Sequence, residues 1–287
     1  MNATVIDPAS DVGAALAAAA RDRRIVFLAG LPGTGKSLYL QQQALLAHRA
    51  GRRVHLMQWD TARSPFETEA TLTRYPEIDG VTHAAIRKAV GSWARGAVAD
   101  WARTHPDPAD MLIGELPVVG NRFTELLERR ADDAEPLLAG PQSLFFLPVP
   151  SQTLRAHIEA ARASSIAAPG HEREVRDAPP AVVTAHWQAV DDLADRMGVA
   201  RGAAGYDPDR YRAVFARILT HRNTCCLEAD RVWPTAGSVY DLDMPVRELL
   251  ATPAEVEAAF AGVERDFPGD SGAAAVEGWF DRVVHGA

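Results

Sequence analysis

Short apolar runs alternate along this chain with longer segments in which apolar residues recur every three or four positions. Runs of this length, bounded by glycine, proline or polar residues, predict buried strands. The predicted strands are 25–29, 54–58, 111–113, 143–149 and, with a weaker pattern, 225–227. Strands that alternate with periodic helical segments indicate an α/β fold with a mainly parallel sheet.

Capping residues place the predicted helices. Gly51 closes a helix that begins near Lys36, and Ser151 caps one that runs to about Ala163. Two capping boxes, at 64–67 and 252–255, each have proline at the first helical position and predict a helix start. The predicted helices are 9–22, 36–50, 64–75, 82–104, 121–131, 151–163, 180–197, 208–222, 252–266 and 273–284.

The charge and cysteine content exclude several classes of partner. The 287 residues include 38 acidic and 30 basic side chains, a net charge of -8, which argues against binding to nucleic acid or to an anionic membrane. Cys225 and Cys226 are adjacent and cannot frame a fold by disulfides, which fits a reducing cytosol. The apolar run from Val12 to Ala20 is too short to span a bilayer. We therefore expect a cytoplasmic protein.

Residues 30–37 carry the clearest motif. Gly30-Leu31-Pro32-Gly33-Thr34-Gly35-Lys36-Ser37 matches the Walker A pattern, and it follows a predicted strand and opens a predicted helix. The glycines let backbone N–H groups point at a phosphate, Lys36 places an ammonium between the β- and γ-phosphates, and Ser37 offers a hydroxyl to Mg²⁺. The predicted nucleotide-binding residues are Gly30, Gly33, Thr34, Gly35, Lys36, Ser37 and Leu38. Only two of the basic residues are lysines, so Lys36 stands out from an arginine-rich composition.

The chain resembles the P-loop kinases, the group that contains nucleoside monophosphate kinases, shikimate and gluconate kinases and chloramphenicol phosphotransferases. The resemblance is specific at residues 25–37 and looser across about 24–230. It implies ATP as donor, Mg²⁺, and a small-molecule acceptor held between helices after the second strand and an arginine-bearing lid. Here those regions correspond to 65–104 and to the charged loop at 164–178.

The fold expected on this basis is a P-loop NTPase three-layer sandwich with a mainly parallel, five-stranded sheet. Residues 1–232 form the kinase-like domain, and 233–287 form a C-terminal helical extension packed on it. Three roles are open to that extension: packing on the sheet, a homodimer contact, or closure of the acceptor pocket.

Two carboxylates follow predicted strands that neighbour the Walker A strand. Asp60 ends the second strand and is a candidate general base or orienter of an acceptor hydroxyl, although it would also suit a turn that caps the next segment. Glu115 ends the third strand, where it would hold Mg²⁺ with Ser37 or act as the base itself, against the alternative of a helix cap. Asp110 precedes the third strand and is misplaced for metal binding.

Further polar residues are expected near the same crevice. The candidate acceptor contacts are Arg63, Asn121 and Arg122, each of which also fits a solvated helix end. One or two lid arginines would stabilise the transferring phosphoryl group, although mixed charge of this kind is more often solvated surface. The candidates are Arg155, Arg162, Arg173 and Arg176, with Arg162 and Arg173 assigned to catalysis.

Other clusters carry weaker signals. One face of the 82–104 helix presents Val90, Trp93, Ala97 and Trp101, which favours core packing over an aromatic wall for an acceptor. His221, Cys225 and Cys226 lack the ligand spacing of a zinc site and are interpreted as structural. Residues 233–234 and 237–238 follow the fifth strand, where P-loop kinases contact adenine.

Three functions remain open at this point. The leading hypothesis is a small-molecule kinase that transfers the γ-phosphate of ATP to a hydroxyl. The second is a regulatory or motor ATPase that acts on a protein partner, with Glu115 positioning the attacking water. The third is a nucleotide sensor with little chemistry of its own.

Overall fold

A single parallel sheet lies at the centre of the molecule. The structure, a computed structural model, describes residues 4–78, 81–176, 178–202, 204–234, 237–268, 276 and 278–285. In this part of the chain the strand order is β5-β4-β1-β3-β2-β6, and every neighbouring pair is parallel. The strands are β1 Ile25–Ala29, β2 Arg53–Gln58, β3 Asp110–Leu116, β4 Ser143–Pro150, β5 Thr224–Ala229 and β6 Val246–Glu248. The sheet has six strands, so the expectation of five was wrong.

Helices cover both faces of the sheet. They are α1 Asp11–Asp22, α2 Lys36–Arg49, α3 Trp59–Ala62, α4 Glu69–Arg74, α5 Ala84–Thr104, α6 Glu135–Leu138, α7 Gln152–Ala167, α8 Pro180–Arg196, α9 Pro208–Ile218, α10 Pro253–Asp266 and α11 Trp279–His285. Short 3-10 turns span Ser64–Phe66, Thr124–Leu126 and Glu172–Arg176.

Alternating side chains of β1 enter two separate apolar cores. Phe27 packs into the core made with α5, α8, α9 and α10, whereas Val26 and Leu28 pack into the core made with α1 and α2. Successive side chains of a strand point to opposite faces, so these two cores lie on opposite sides of the sheet. The arrangement is therefore a three-layer α/β/α sandwich.

The additional strand comes from the segment that was expected to be helical. Val246–Glu248 pairs with β2 at the edge of the sheet. The two helices predicted around it are present: α10 begins at Pro253 with the predicted Thr252–Glu255 capping box, and α11 lies within the predicted last helix. Residues 273–275 and 277 of that last helix lie outside the described residues. A three-residue strand of sequence Val-Arg-Glu has too little apolar pattern to be recognised in advance.

The predicted helix at 121–131 does not form. The chain after β3 instead makes an irregular, buried path in which Val118, Asn121 and Phe123 have φ of 53°, 58° and 63°, followed by one 3-10 turn. Positive φ is costly for residues with a Cβ, and most of all for β-branched valine. Tertiary contacts override helix propensity here, because Glu125 and Glu128 are drawn into a fully buried ion network.

Smaller differences concern helix ends. The capping box at Ser64 opens only a 3-10 turn; α4 starts at Glu69, where the Thr68 hydroxyl accepts from the Thr71 amide. Helix α7 continues to Ala167, four residues into the predicted loop, and α9 ends at Ile218. None of the helices in the described ranges combines the length and the hydropathy that crossing a bilayer requires.

The strand order places the Walker A segment at the centre of one sheet edge. β1 lies between β3 and β4, and Leu28 and Gln58 are both in register with Glu115. The carboxyl ends of β1, β2 and β3 therefore meet at the same edge, where ligands bind in open α/β sheets.

Candidate functional site

The loop between β1 and α2 adopts a conformation that favours glycine. Gly30, Gly33 and Gly35 have φ of 145°, 78° and 83°. The Gly30 amide donates to the Leu116 carbonyl over 3.1 Å, which ties the start of the loop to the end of β3. The loop leads directly into α2, whose first amides have no acceptor within the helix. This geometry suits an anion at the helix N-terminus.

Lys36 is buried against its own loop. Its ammonium donates to the Leu31 carbonyl over 2.8 Å and lies 3.6 Å from Glu115 Oε1. Burial, together with the nearby charges of Arg162 and Arg155, lowers the pKa of Lys36 to about 8, although the charge of Glu115 opposes the shift. The loop thus presents a buried cation whose charge is only partly balanced.

Ser37 and Glu115 come together as expected. The Ser37 hydroxyl donates to Glu115 Oε2 over 3.1 Å. No group of three or more His, Cys, Asp or Glu side chains in the described ranges could hold a metal ion. Mg²⁺ usually keeps several waters and uses one or two protein oxygens plus substrate phosphates. One hydroxyl and one carboxylate beside a phosphate loop fit that donor set.

Arg155, from the first turn of α7, lies across the loop. A Cβ on Gly33 would come 3.4 Å from the Arg155 guanidinium carbon. The Arg155 Nε donates to Glu159 over 2.5 Å, and the guanidinium sits 5.1 Å from the centre of the Tyr206 ring. Its two terminal nitrogens are buried and have no hydrogen-bond partner. Two strong donors therefore stand unpaired directly beside the loop.

A cavity of about 390 Å³, called here the loop cavity, opens beside Gly33, Lys36 and Ser37. Its opposite walls come from α7 and from the segment after β5. The lining includes Gly35, Leu38, Glu115, His157, Ile158, Arg162, Trp233, Pro234, Gly237, Ser238 and Tyr240. The predicted adenine contacts at 233–234 and 237–238 thus lie on the wall of the same cavity as the lysine.

A second cavity, of about 370 Å³, adjoins the first and is called here the adjoining cavity. Lys36, Glu115 and Arg162 line both. The adjoining cavity is further lined by Asp60, Arg63, Glu77, Thr82, Arg122, His186 and Tyr240. The structure therefore brings both predicted carboxylates and two of the three predicted acceptor contacts to one space next to the lysine.

The carboxylates of the adjoining cavity cluster around Arg63. Its Nε lies 3.3 Å from Asp60, and its Nη1 lies 2.6 Å from Glu67 and 3.8 Å from Glu77. Asp60 itself is half exposed, at 48%, and faces the cavity from α3. Arg63 thus balances the acidic side of this cavity.

Asn121 and Arg173 line neither the loop cavity nor the adjoining cavity. Asn121 is fully buried, and its side chain bonds to Glu125, Thr124 and Arg282. Arg173 bonds to Gln58 and Glu248, and it lines a third cavity, of about 400 Å³. Asp60 and Glu115 also line that cavity, whereas Lys36 does not. The side chain of Arg176 lies outside the described part of the chain.

The remaining loop residues and the aromatic face have structural contacts. The Thr34 hydroxyl donates to the Leu31 carbonyl over 2.9 Å, which braces the loop from within. Val90, Trp93 and Trp101 are buried in the core on one face of the sheet, so the interpretation of this helix face as core packing is confirmed.

Sequence reasoning missed several residues that surround the site. The Tyr211 hydroxyl approaches so closely that a Cβ on Gly30 would lie 2.3 Å from it. His186 and Tyr240 line the adjoining cavity from positions distant in the chain. A lone histidine or tyrosine within a helical pattern has no spacing that marks it in advance.

No family model matches this chain, and neither a curated protein nor a solved structure matches it. Its function is therefore argued from the geometry of the site.

Proposed function

We propose that this chain is a P-loop NTPase that acts as an ATP-dependent small-molecule kinase, transferring the γ-phosphate to a hydroxyl group. The observation that carries the proposal is that Lys36 and Glu115 line both the loop cavity and the adjoining cavity. A phosphate held by Lys36 would lie between a space for a donor and a space for an acceptor. Transfer between two bound molecules requires that arrangement.

The donor is assigned to the loop cavity. Its triphosphate would follow the glycines of the 30–37 loop toward Lys36, with the unpaired guanidinium nitrogens of Arg155 as further donors. Trp233 and Pro234 offer flat apolar surface for a base at the other end of the cavity. The loop by itself does not distinguish ATP from GTP, and ATP is proposed from the resemblance to P-loop kinases.

Different roles for the two carboxylates follow from their contacts. Glu115 is bonded to Ser37 and lies near Lys36, so it is assigned to the phosphate side of the reaction. Asp60 lines the adjoining cavity and lies outside the loop cavity, so it is assigned as the general base.

In the proposed reaction, the acceptor oxygen attacks the γ-phosphorus in line. The new O–P bond forms while the bond from the γ-phosphorus to the β,γ-bridging oxygen breaks; ADP leaves, and the hydroxyl proton passes to Asp60. Lys36, Arg155 and Arg162 surround the phosphoryl group with positive charge and keep it oriented. Ser37 and Glu115 would hold Mg²⁺, which supplies neutralisation of phosphate charge.

The test measures ADP release from ATP by the purified protein, alone and with a panel of hydroxyl compounds. Strong stimulation by one compound is expected, and Asp60→Asn should reduce the stimulated rate by about 10²- to 10⁴-fold, as for loss of a general base. The control is Asp281→Asn, an exposed carboxylate on α11. Steady hydrolysis that no small molecule changes would favour the regulatory ATPase and overturn the kinase proposal.

A further inference from the structure

The guanidinium of Arg122 is buried and has no ion pair with a carboxylate of the described residues. The residue is 9% exposed and lines the adjoining cavity. Its hydrogen bonds go to the Val119 carbonyl, over 3.2 Å, and to His186 Nε2, over 2.9 Å. Burial, together with the charges of Arg87 and Arg63, lowers the pKa of Arg122 to about 10, although the charge of Asp60 opposes the shift. Within the described residues no carboxylate lies within ion-pair distance of it.

Three buried arginines elsewhere in the fold each pair with at least one carboxylate. Arg95 contacts Asp132 and Glu135, Arg210 contacts Asp191 and Asp195, and Arg222 contacts Glu135. Each of these side chains is no more than 3% exposed. Where this fold buries these guanidiniums for structure, it supplies carboxylates. Arg122 departs from that pattern at a cavity wall.

Apart from the two acceptors already named, the groups described next to Arg122 are hydrogen-bond donors. A Cβ on Gly120 would lie 3.2 Å from a terminal nitrogen of both Arg122 and Arg87, so two guanidiniums converge there. His186 Nε2 accepts from Arg122, which places the proton of the neutral imidazole on Nδ1. That Nδ1 is buried and has no hydrogen-bond partner. Burial and the charge of Arg122 lower the pKa of His186 to about 3, so the ring is neutral near pH 7.

We infer that the acceptor is an anionic metabolite whose carboxylate or phosphate group binds Arg122, with His186 Nδ1–H as a second donor. That this anion is the acceptor rests on the proposed kinase function; that an anion binds here rests on the contacts alone. Three acidic residues line the cavity, and their ion pairs go to other cations: Asp60 and Glu77 contact Arg63, and Glu115 contacts Lys36. The charge of Asp60 acts on Arg122 from beyond ion-pair distance. A cavity of about 370 Å³ limits the acceptor to a small molecule.

The first experiment measures anion binding directly. Inorganic phosphate and acetate are titrated by calorimetry, at constant ionic strength, into protein saturated with ADP and Mg²⁺, so that the 30–37 loop is already occupied. At least one anion should bind, and Arg122→Gln should weaken it at least tenfold. Arg103→Gln, an exposed arginine on α5, is the control and should bind as the unaltered protein does. Equal binding by Arg122→Gln, or no binding of either anion, would overturn the inference.

A second pair of variants separates loss of the site from loss of the fold. Arg122→Lys retains the charge but not the two-pronged donor, so phosphate binding should fall less than with glutamine. The melting temperature of Arg122→Gln should stay at or above that of the unaltered protein, because a buried cation without an ion pair is removed. A variant that loses anion binding only together with its cooperative unfolding would assign Arg122 a structural role and overturn the inference.

The same preparation distinguishes this inference from the kinase proposal. If ADP does not bind, the kinase proposal fails, and the anion titration is repeated in Lys36→Ala, where the effect of Arg122→Gln still decides the anion site. If ADP release is stimulated by neutral alcohols and equally so in Arg122→Gln, the kinase stands and the anionic acceptor is refuted. We expect hydroxy acids or phosphate esters to stimulate ADP release, and their neutral counterparts to stimulate it at least tenfold less.

Discussion

Two regions of the molecule bury basic side chains, and they differ in how fully carboxylates neutralise the buried positive charge. The two lysines of the chain illustrate the difference, because each is 4% exposed. Lys88, on α5, lies 2.7 Å from Glu125 and 4.0 Å from Glu128, both of which are fully buried. Lys36 donates to the Leu31 carbonyl and lies 3.6 Å from Glu115. The positive charges of Arg155 and Arg162 also act on it and lower its pKa. The charge of Lys88 is balanced, whereas that of Lys36 is only partly balanced.

The balanced region is a network beneath α5. It joins this helix to the irregular segment after β3, to the turn before β5 and to α11, through Arg95, Arg222 and Arg282. Glu135 receives both Arg95 and Arg222, and the carbonyls of Glu125 and Glu128 accept further guanidinium bonds. Buried ions with this many partners fix the relative positions of segments that are distant in the chain.

The unbalanced region is the cleft at the carboxyl ends of the strands. Lys36 and Arg122 have lowered pKa values there, and Arg155 has unpaired terminal nitrogens. An isolated buried cation costs free energy, so a fold keeps it where a ligand supplies the missing charge. Under the proposed function, the contrast separates side chains that hold the fold from side chains that would bind the ligand.

The largest expected effects come from the matched lysines. Lys36→Met should lower the rate of phosphoryl transfer by about 10²- to 10³-fold, the loss typical of one electrostatic contact in a reacting site, while stability is unchanged or higher. Lys88→Met should lower the free energy of unfolding by about 3–5 kcal/mol, because it leaves the buried carboxylate of Glu125 without its cation. Steady-state kinetics and chemical denaturation of both variants make the measurement. The contrast would be broken if Lys36→Met destabilised the fold as much as Lys88→Met does.

A pair of arginines extends the same contrast. Arg155→Met should lower transfer by about 10²-fold and leave the unfolding midpoint within a few degrees of the original, since its terminal nitrogens have no protein partner. Arg222→Met should reduce stability by about 3 kcal/mol, because Glu135 loses a partner and three buried carbonyls lose donors. Thermal unfolding and the ADP-release assay test both, and a large loss of stability in Arg155→Met would contradict the assignment.

The pH dependence of nucleotide binding tests whether the ammonium of Lys36 contacts the phosphates. Its pKa in the free protein is about 8, below the ordinary 10.5, and nearby phosphate oxygens raise it in the complex. Between those two values binding takes up a proton, so the association constant should fall with rising pH, by up to about tenfold per unit. Below pH 8 the lysine contributes no pH dependence. Calorimetry at pH 7 and pH 9 in two buffers measures the proton uptake, and it should vanish in Lys36→Met.

The smallest effects concern two glycines of α5. A Cβ on Gly91 would lie 1.8 Å from Glu125 Oε2, whereas a Cβ on Gly96 meets nothing within 4 Å. Gly91→Ala should destabilise by about 1–3 kcal/mol as it displaces the buried carboxylate from Lys88. Gly96→Ala should stabilise by about 0.5–1 kcal/mol through helix propensity. Denaturant titrations decide this, and equal effects at the two positions would mean that the Glu125 contact does not constrain the helix.

Features that depend on neighbouring residues were predictable. The glycine spacing and Lys36 define the 30–37 loop locally, and the apolar runs identify five of the strands. The interpretation failed where distant groups compete with local propensity. Residues 121–131 have a helical pattern, yet the buried network bends them into a path in which Asn121 and Phe123 have positive φ values.

In the candidate site, too, the residues marked by local pattern were predictable, and those placed by distant contacts were not. Asp60 and Glu115 were found because strand ends in a parallel sheet share an edge. His186 and Tyr211 were missed, since each comes from a helix far along the chain. Arg173 was expected at the reacting phosphate, and its position was decided by Glu248 on a strand whose existence was not predicted.

The amino-acid sequence by itself determined the alternation of strands and helices, the phosphate-type loop and the two carboxylates beside it. Backbone preference and side-chain period act over a few residues, so they can be recognised from the chain alone. Only the tertiary structure decided which buried cations find a carboxylate. Burial raises the cost of every unpaired charge, and pairing depends on residues that folding brings together from distant parts of the chain. Arg222 and Arg122 are the same residue type at similar burial, and their partners alone set them apart.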